Sequence, residues 1–177
     1  MKIRKNLLLL VMGGGIVSLP GAVLATEVGM GYGRDIRNSL DLEQYEMFAR
    51  QPLPYTTDLG NIGTLSSAVE IGAALIHYYG DDDAVTGRFS AMPMAILSPH
   101  ENINILAGIG AGFMVGQTRF GEHYLDGPIL FNAKIGVQIV LSESWGIEYT
   151  FYHQSNGSIY EHNNSLNMNQ LAVTFRF

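Results

Sequence analysis

The stretch "ILFNAKIGVQIVL", residues 129–141, decides the fold because its two faces have opposite character. The odd positions are all apolar, namely Ile129, Phe131, Ala133, Ile135, Val137, Ile139 and Leu141. The even positions include Asn132, Lys134, Gly136 and Gln138. Because successive side chains of a β-strand point to opposite faces, this pattern predicts a strand that separates an apolar from a polar medium.

Similar alternation recurs along the chain and gives eight predicted strands. They cover about 26–33, 42–51, 64–79, 85–97, 103–117, 128–141, 145–155 and 167–177. The fourth is the weakest, since both of its faces are apolar and Pro93 interrupts its hydrogen-bonding ladder. Helical periodicity and internal repeats are absent from the sequence. The pattern therefore predicts an all-β chain.

The first 25 residues have the pattern of a secretory signal peptide. Three basic residues occur within the first five positions, an apolar run begins at residue 7, and small residues lead to a cleavage site after Ala25. Three glycines and Pro20 leave the apolar run shorter than the roughly 20 residues that a membrane span needs. The expected organisation is a signal peptide at 1–25 and one domain at 26–177.

The net charge and the absence of cysteine limit which partners the protein can bind and how its fold can be stabilised. Removal of the signal peptide leaves seven basic and sixteen acidic residues, a net charge of −9, which argues against a nucleic-acid partner. The chain has no cysteine, so an exported domain of this kind needs a large core or a closed sheet instead of disulfides.

Two architectures fit eight alternating strands in an exported chain. One is a soluble sandwich or barrel with the apolar face inward, and the other is a membrane barrel with the apolar face toward lipid. The final stretch "LAVTFRF" places Leu171, Val173, Phe175 and Phe177 on one face, an ending typical of bacterial outer-membrane barrels. The prediction is an all-β, eight-stranded antiparallel transmembrane β-barrel in the bacterial outer membrane, too small to be a wide pore.

This topology places every connection. If both termini are periplasmic, the external loops are roughly 34–41, 80–84, 118–127 and 156–166. The periplasmic turns are then 52–63, 98–102 and 142–144.

The seventh predicted strand carries the candidate chemistry in "HQSNGSI", residues 153–159. His153 and Ser155 occupy odd-numbered positions, as the apolar residues of this strand do. Both are therefore expected to face lipid at the external end of the strand. Same-face neighbours on a strand are about 6.5–7 Å apart at Cα, which allows an imidazole to reach a hydroxyl. A serine hydroxyl becomes a useful nucleophile when an adjacent base takes its proton.

A third residue is expected to orient the imidazole. Asn167 has the outward parity of the last strand and lies near the external end, so it can accept a hydrogen bond from His153. The competing interpretation is an ordinary polar strand end at the membrane–water interface. Parity and spacing alone leave both interpretations open.

The stretch "FYHQSNGSIYEHNNSLNMNQLAVTFRF" resembles the C-terminal signature of the lipid A 3-O-deacylase (PagL) family of outer-membrane enzymes. The matching positions are His153, Ser155, Asn156, Gly157, Ile159, Asn163, Asn167 and the terminal aromatic strand. Upstream, "NILAGIGAGF" and "FNAKIGVQI" are similar to the family's fifth and sixth strands, whereas the first four strands resemble it only in pattern.

The resemblance implies hydrolysis of the acyl chain ester-linked at the 3 position of lipid A. By that match, Ser155 is the nucleophile and His153 the general base. Asn156 and a backbone N–H of the Gly157–Ser158 turn are expected to stabilise the oxyanion.

This chain departs from the family's best-known pattern in two places. That pattern has a glutamate at the position of Asn167 and a glycine at the position of Ser158. An asparagine stabilises an imidazolium less than a carboxylate does, so slower turnover is expected. Glu161 is a second candidate for the third member.

Four arginines, Arg34, Arg37, Arg88 and Arg119, are expected in or beside the external loops as contacts for lipid A phosphates. The histidines lack metal-ligand spacing, so neither a metal nor another cofactor is predicted. The expected partners are lipid A (lipopolysaccharide) and the outer membrane, with a homodimer left open. A non-catalytic structural or adhesive barrel and an inactive deacylase homologue are the alternative functions.

Overall fold

The computed structural model describes residues 26–36, 40–80 and 83–177, so the predicted signal peptide lies outside the described residues. Eight long strands form a closed barrel, and two short strands form a separate hairpin. The barrel strands are β1 (Glu27–Asp35), β2 (Leu42–Asp58), β3 (Thr64–Tyr78), β4 (Ala84–His100), β5 (Ile103–Val115), β8 (Ile129–Val140), β9 (Trp145–Ser155) and β10 (Leu166–Arg176). The hairpin strands are β6 (Arg119–Phe120) and β7 (His123–Tyr124).

Every barrel strand pairs antiparallel with its neighbours, and β1 pairs with β10 to close the sheet. The eight predicted strands and the all-β barrel are confirmed. One end of the barrel, here the long-loop end, carries the connections 36–41, 79–83, 116–128 and 156–165. In outer-membrane barrels the longer loops are extracellular and the short turns periplasmic.

Two connections differ from the sequence prediction. The strand β2 continues to Asp58, so the long turn expected at 52–63 contracts to five residues around a 3-10 turn, Gly60–Ile62. The backbone φ of Gly60 is +63°, a value that glycine adopts without a steric penalty. In the external connection 116–128, the hairpin β6–β7 replaces the expected irregular loop.

Apolar side chains cover the outer surface of the barrel. Examples from all eight barrel strands are Met30, Met47, Ile71, Phe89, Ile109, Phe113, Ile135, Val137, Tyr149, Leu171 and Val173, each at least 42% exposed. Near the short-turn end, the ring of Phe175 contacts those of Trp145 and Phe177 edge to face. No helix in the described ranges is long and apolar enough to cross a membrane.

The interior near the short-turn end contains a buried network of charges. Arg50 lies within ion-pair distance of three carboxylates, those of Glu27, Glu70 and Glu148. Lys134 contacts Glu148 at 2.7 Å and Glu70 at 3.1 Å. Because burial of an unpaired charge is costly, these opposite charges must be assembled together when the barrel closes.

The interior near the long-loop end combines apolar side chains with buried polar ones such as Gln44, Thr86 and Gln154. Side chains of Leu42, Ile76, Met114, Leu130, Leu166 and Met168 converge there. Phe120 and Leu125 from the hairpin connection are fully buried among them. These two side chains form an apolar plug that closes the long-loop end of the barrel.

The buried network makes a stability prediction. Substitution of Arg50 by Met leaves three carboxylates with one fewer cation, and we expect it to lower the free energy of unfolding by about 3–5 kcal/mol. The midpoint of urea unfolding, followed by the gel-mobility difference between folded and unfolded barrel, measures this change. Arg119→Met is the control, because Arg119 is 62% exposed and its ion pair contributes at most about 1 kcal/mol. Equal midpoints for the two variants would contradict the prediction.

Candidate active site

His153 and Ser155 lie at the long-loop end of β9, on the outer surface of the barrel. Both side chains are partly buried, whereas the intervening Gln154 is fully buried and points inward. The alternation of β9 is therefore regular up to Ser155, its last residue. It places an imidazole and a hydroxyl two residues apart on the outer face of β9.

Asn167 contacts His153 across the β9–β10 ladder. The two residues are register partners, and the Nδ1 atom of His153 is 2.7 Å from the Oδ1 atom of Asn167. The Nδ2 atom of Asn167 donates in turn to the Oγ atom of Ser165 at 2.9 Å. With its nitrogen donating to Ser165, the amide presents its oxygen to the imidazole, and this oxygen can only accept. This arrangement puts the proton of a neutral His153 on Nδ1 and leaves Nε2 as a base.

The reactive atoms of the pair are free of competing partners. Across the described ranges, no hydrogen bond reaches the Ser155 hydroxyl or the Nε2 atom of His153. Glu161 is exposed on the following loop and makes no hydrogen bond to the imidazole. Of the two candidates for the third member, Asn167 is the one in contact with His153.

Asn156 holds the loop together instead of facing the serine. Its side chain is buried, and its Nδ2 atom donates to the backbone oxygens of Leu125 and His162. Its backbone N–H donates to the Oδ1 atom of Asn163 at 2.9 Å. Both donor groups are engaged, so the expectation that Asn156 supplies an oxyanion donor is not met in this arrangement. The inward parity it shares with Gln154 explains why.

The turn after Asn156 leaves one backbone donor available. The N–H of Ser158 donates to the Oδ1 atom of Asn156 at 2.8 Å, which removes it from the expected pair of donors. No acceptor within the described part of the chain bonds the N–H of Gly157. Gly157 has a φ of +62°, and a Cβ there would lie 2.7 Å from the Phe131 ring. Glycine is thus required both for the turn and for its close approach to Phe131.

The loop after Ser155 is fastened to the hairpin connection. Asp126 accepts from the backbone N–H of His162 at 2.9 Å and lies 2.6 Å from its Nδ1 atom. The hydrogen bond from His162 holds the pKa of Asp126 below its usual value. Tyr124 and Asn164 add a second pair of bonds between the same two connections. The plug and the loop beside the serine therefore form one docked unit.

The four predicted phosphate contacts have different positions. Arg34 and Arg119 are exposed at the long-loop end, with side-chain exposures of 52% and 62%. Arg37 lies outside the described residues. The placement of Arg88 at the external rim is wrong, because its side chain is fully buried inside the barrel and ion-paired with Glu46.

Sequence reasoning missed two features of this region. One is Ser165, which accepts a hydrogen bond from Asn167; its position two residues before Asn167, just ahead of β10, was the available signal. The other is Glu43, whose carboxylate accepts hydrogen bonds from Tyr32, Tyr45 and Tyr79 on the outer surface. Within the described residues, His, Asp and Glu side chains form no group of three that could hold a metal ion.

Comparisons with known proteins identify the family of the chain. The family model described as lipid A 3-O-deacylase (PagL) matches residues 43–176. The chain is 32% identical over 121 residues to the lipid A deacylase PagL of Bordetella bronchiseptica. That alignment spans 67% of this chain and 66% of the relative, just under two thirds of its length.

Solved structures share the fold. The crystal structure of the outer membrane enzyme PagL superimposes with a TM-score of 0.70 at 19% identity, covering 85% of this chain and 99% of that one. Neisserial surface protein A gives a TM-score of 0.54 at 10% identity over 85% and 94% of the two chains. Ail of Yersinia pestis gives 0.53 at 12% identity over 85% and 97%. At these identities the likenesses establish the architecture alone.

The assignment of the chain to a protein family therefore rests on the family match. This match covers most of the chain, from the second residue of β2 to the end of β10. The chain is an outer-membrane β-barrel and belongs to the lipid A 3-O-deacylase (PagL) family.

Proposed function

We propose that the chain is an esterase that removes the 3-position ester-linked acyl chain of lipid A by a Ser–His mechanism on its lipid-facing surface. The single observation that carries this proposal is the hydrogen bond between His153 and Asn167 beside an unbonded Ser155. A loop-shaping motif has no need of an imidazole fixed in one tautomer next to a free hydroxyl. Family membership supports lipid A as the substrate.

The reaction proceeds by acyl transfer to the serine. The Oγ atom of Ser155 attacks the ester carbonyl carbon while Nε2 of His153 takes the hydroxyl proton. The imidazolium then returns this proton to the departing sugar oxygen, which leaves as the 3-hydroxyl. Water, activated by the same imidazole, hydrolyses the acyl-enzyme and releases a fatty acid.

Asn167 and Gly157 assist this chemistry in different ways. Asn167 holds the imidazole at Nδ1, which leaves Nε2 without a hydrogen-bond partner and able to take the serine proton once the substrate is bound. The unbonded N–H of Gly157, one of the two backbone donors predicted for the Gly157–Ser158 turn, donates to the developing oxyanion, without the contribution that was expected from Asn156. Arg34 and Arg119 are the exposed cations that we propose as phosphate contacts.

The nucleophile is tested by Ser155→Ala. Wild type expressed in a bacterium with hexa-acylated lipid A is expected to remove one hydroxyacyl chain, seen by mass spectrometry of extracted lipid A. The variant is expected to lose at least about 1000-fold in rate, since the attacking oxygen is absent. Ser144→Ala, in the turn at the opposite end of the barrel, is the matched control. Intact lipid A with both proteins would favour the structural barrel or the inactive homologue, whereas cleavage by both would remove Ser155 as the nucleophile.

The orienting role is tested by Asn167→Asp. A charged acceptor stabilises the imidazolium more than an amide does, so kcat is expected to rise about five- to tenfold. Ser165→Ala is expected to lower kcat when Asn167 is present, because the amide is then free to turn its nitrogen toward the imidazole. The same change is expected to have a smaller effect in the Asn167→Asp background, because both oxygens of a carboxylate accept. An unchanged rate in Asn167→Asp would remove Asn167 from the mechanism.

The oxyanion donor is tested by Gly157→Ala, because a Cβ would strain the backbone and collide with Phe131. We expect kcat to fall about 10- to 100-fold as the donor is displaced. Gly60→Ala is the matched control: its φ is +63°, and a Cβ there meets nothing within 4 Å. Equal kcat values for the two variants would show that Gly157 does not position the donor.

A further inference from the structure

Glu43 is the centre of a cluster of polar side chains on the outer surface of the barrel. Its Oε1 atom accepts from the hydroxyl of Tyr32 at 2.9 Å, and its Oε2 atom accepts from those of Tyr45 and Tyr79 at 3.0 Å. The guanidinium of Arg34 lies 3.9 Å from the same carboxylate. A carboxylate on the membrane-facing side of a barrel is costly, and here three phenols and one cation satisfy it.

This cluster is continuous with the proposed active site. Arg34 is the register partner of Asn169 on one side and of Glu43 on the other. Asn169 has the same outward parity as Asn167 and is partly buried two residues below it. The polar track is therefore Asn167, Asn169, Arg34, Glu43 and the three tyrosines. From β9 to β2 it crosses three strand spacings, or about 14 Å.

The other side of the catalytic pair lacks such a track. At the long-loop ends of β8, β5 and β4, the outward residues are apolar: Ile129, Phe131, Phe113, Val115, Val85 and Phe89, each at least 45% exposed. A general belt of interfacial residues surrounds a membrane barrel on all sides. The polar track extends from His153 in one direction only, and this asymmetry points to a ligand.

We propose that the polar track binds the phosphorylated sugar headgroup of the substrate, so that the headgroup lies over β10, β1 and β2 and contacts Arg34 in preference to Arg119, which lies between β5 and β8. This inference rests on the proposed function and gives the substrate a direction on the barrel. The acyl chain that is cleaved then extends the opposite way, onto the apolar outer surface of β8 and β5.

The side chains of the track suit that ligand. Arg34 is half exposed, and its one ion-pair contact among the described residues is distant, at 3.9 Å from Glu43, so its guanidinium can donate to a phosphate. Tyr32, Tyr45 and Tyr79 are each about 40% exposed and present ring faces on which a sugar can pack. Glu43 is a positioning residue, because it fixes the three phenols and Arg34 before the ligand arrives.

Kinetics with two substrates test the proposal. The full-length barrel in mixed micelles is assayed with hexa-acylated lipid A and with a p-nitrophenyl acyl ester that has no headgroup. Arg34→Gln, Glu43→Gln and Tyr45→Leu are each expected to raise KM for lipid A about tenfold with kcat within twofold. Their kinetics with the simple ester are expected to match wild type. Tyr55→Leu is the control, since Tyr55 is exposed on the same strand near the short-turn end.

A binding measurement separates this inference from the proposed function. In the Ser155→Ala background, Arg34→Gln is expected to weaken the binding of lipid A about tenfold, whether or not the chain is a hydrolase. Unchanged lipid A binding, or an equal rise of KM for both substrates, would overturn the polar track as a headgroup site. Failure of the wild type to cleave either substrate would instead overturn the proposed function. Gel mobility confirms that each variant is folded.

Discussion

The antiparallel hydrogen bonds between β1 and β10 close the barrel. The positions of all outward-facing side chains depend on that closure. Nine register pairs join the two strands, from Glu27 with Arg176 to Asp35 with Met168. Closure leaves no unpaired sheet edge, which a barrel in a hydrocarbon medium requires. The same register brings Arg34 beside Asn169, while the adjoining β9–β10 ladder sets Asn167 opposite His153. A slip of one residue would turn each of these side chains to the interior.

Alternation in the sequence was sufficient to predict the barrel, the eight strands and the outward direction of His153 and Ser155, because parity is fixed once a strand is recognised. Arg88 was misplaced because its strand is apolar on both faces, so parity could not be assigned there. Asn156 is two residues from the inward-facing Gln154, and this spacing indicates that its side chain also points inward. The resemblance to the family pattern nevertheless led to its prediction as an oxyanion donor. The hydrogen bonds of Ser165 and of the Glu43 cluster depend on cross-strand register and rotamers, which a single sequence does not specify.

The interior combines two kinds of packing with different consequences. Ion pairs among Arg50, Lys134 and their carboxylates contribute little net stability, because burying the charges costs desolvation energy. A strand register that separated them would leave buried charges unpaired and would be strongly destabilised. The apolar plug at the other end gains stability directly from burial. Because the plug is docked to the loop after Ser155 through Asp126 and Asn156, the packing of the interior also fixes that loop.

The apolar plug has a consequence for transport. Within the described residues, the buried side chains of Phe120 and Leu125 fill the long-loop end, and an eight-stranded barrel is filled by its own side chains. On the proposed function, a lipid reaches Ser155 by lateral diffusion within its own leaflet, and the fatty acid and the trimmed lipid leave by the same route. The rate at which lipid and Ser155 meet then depends on the mole fraction of substrate in the leaflet and on the fluidity of that leaflet. The leaflet, in place of bulk water, is the medium through which the substrate diffuses.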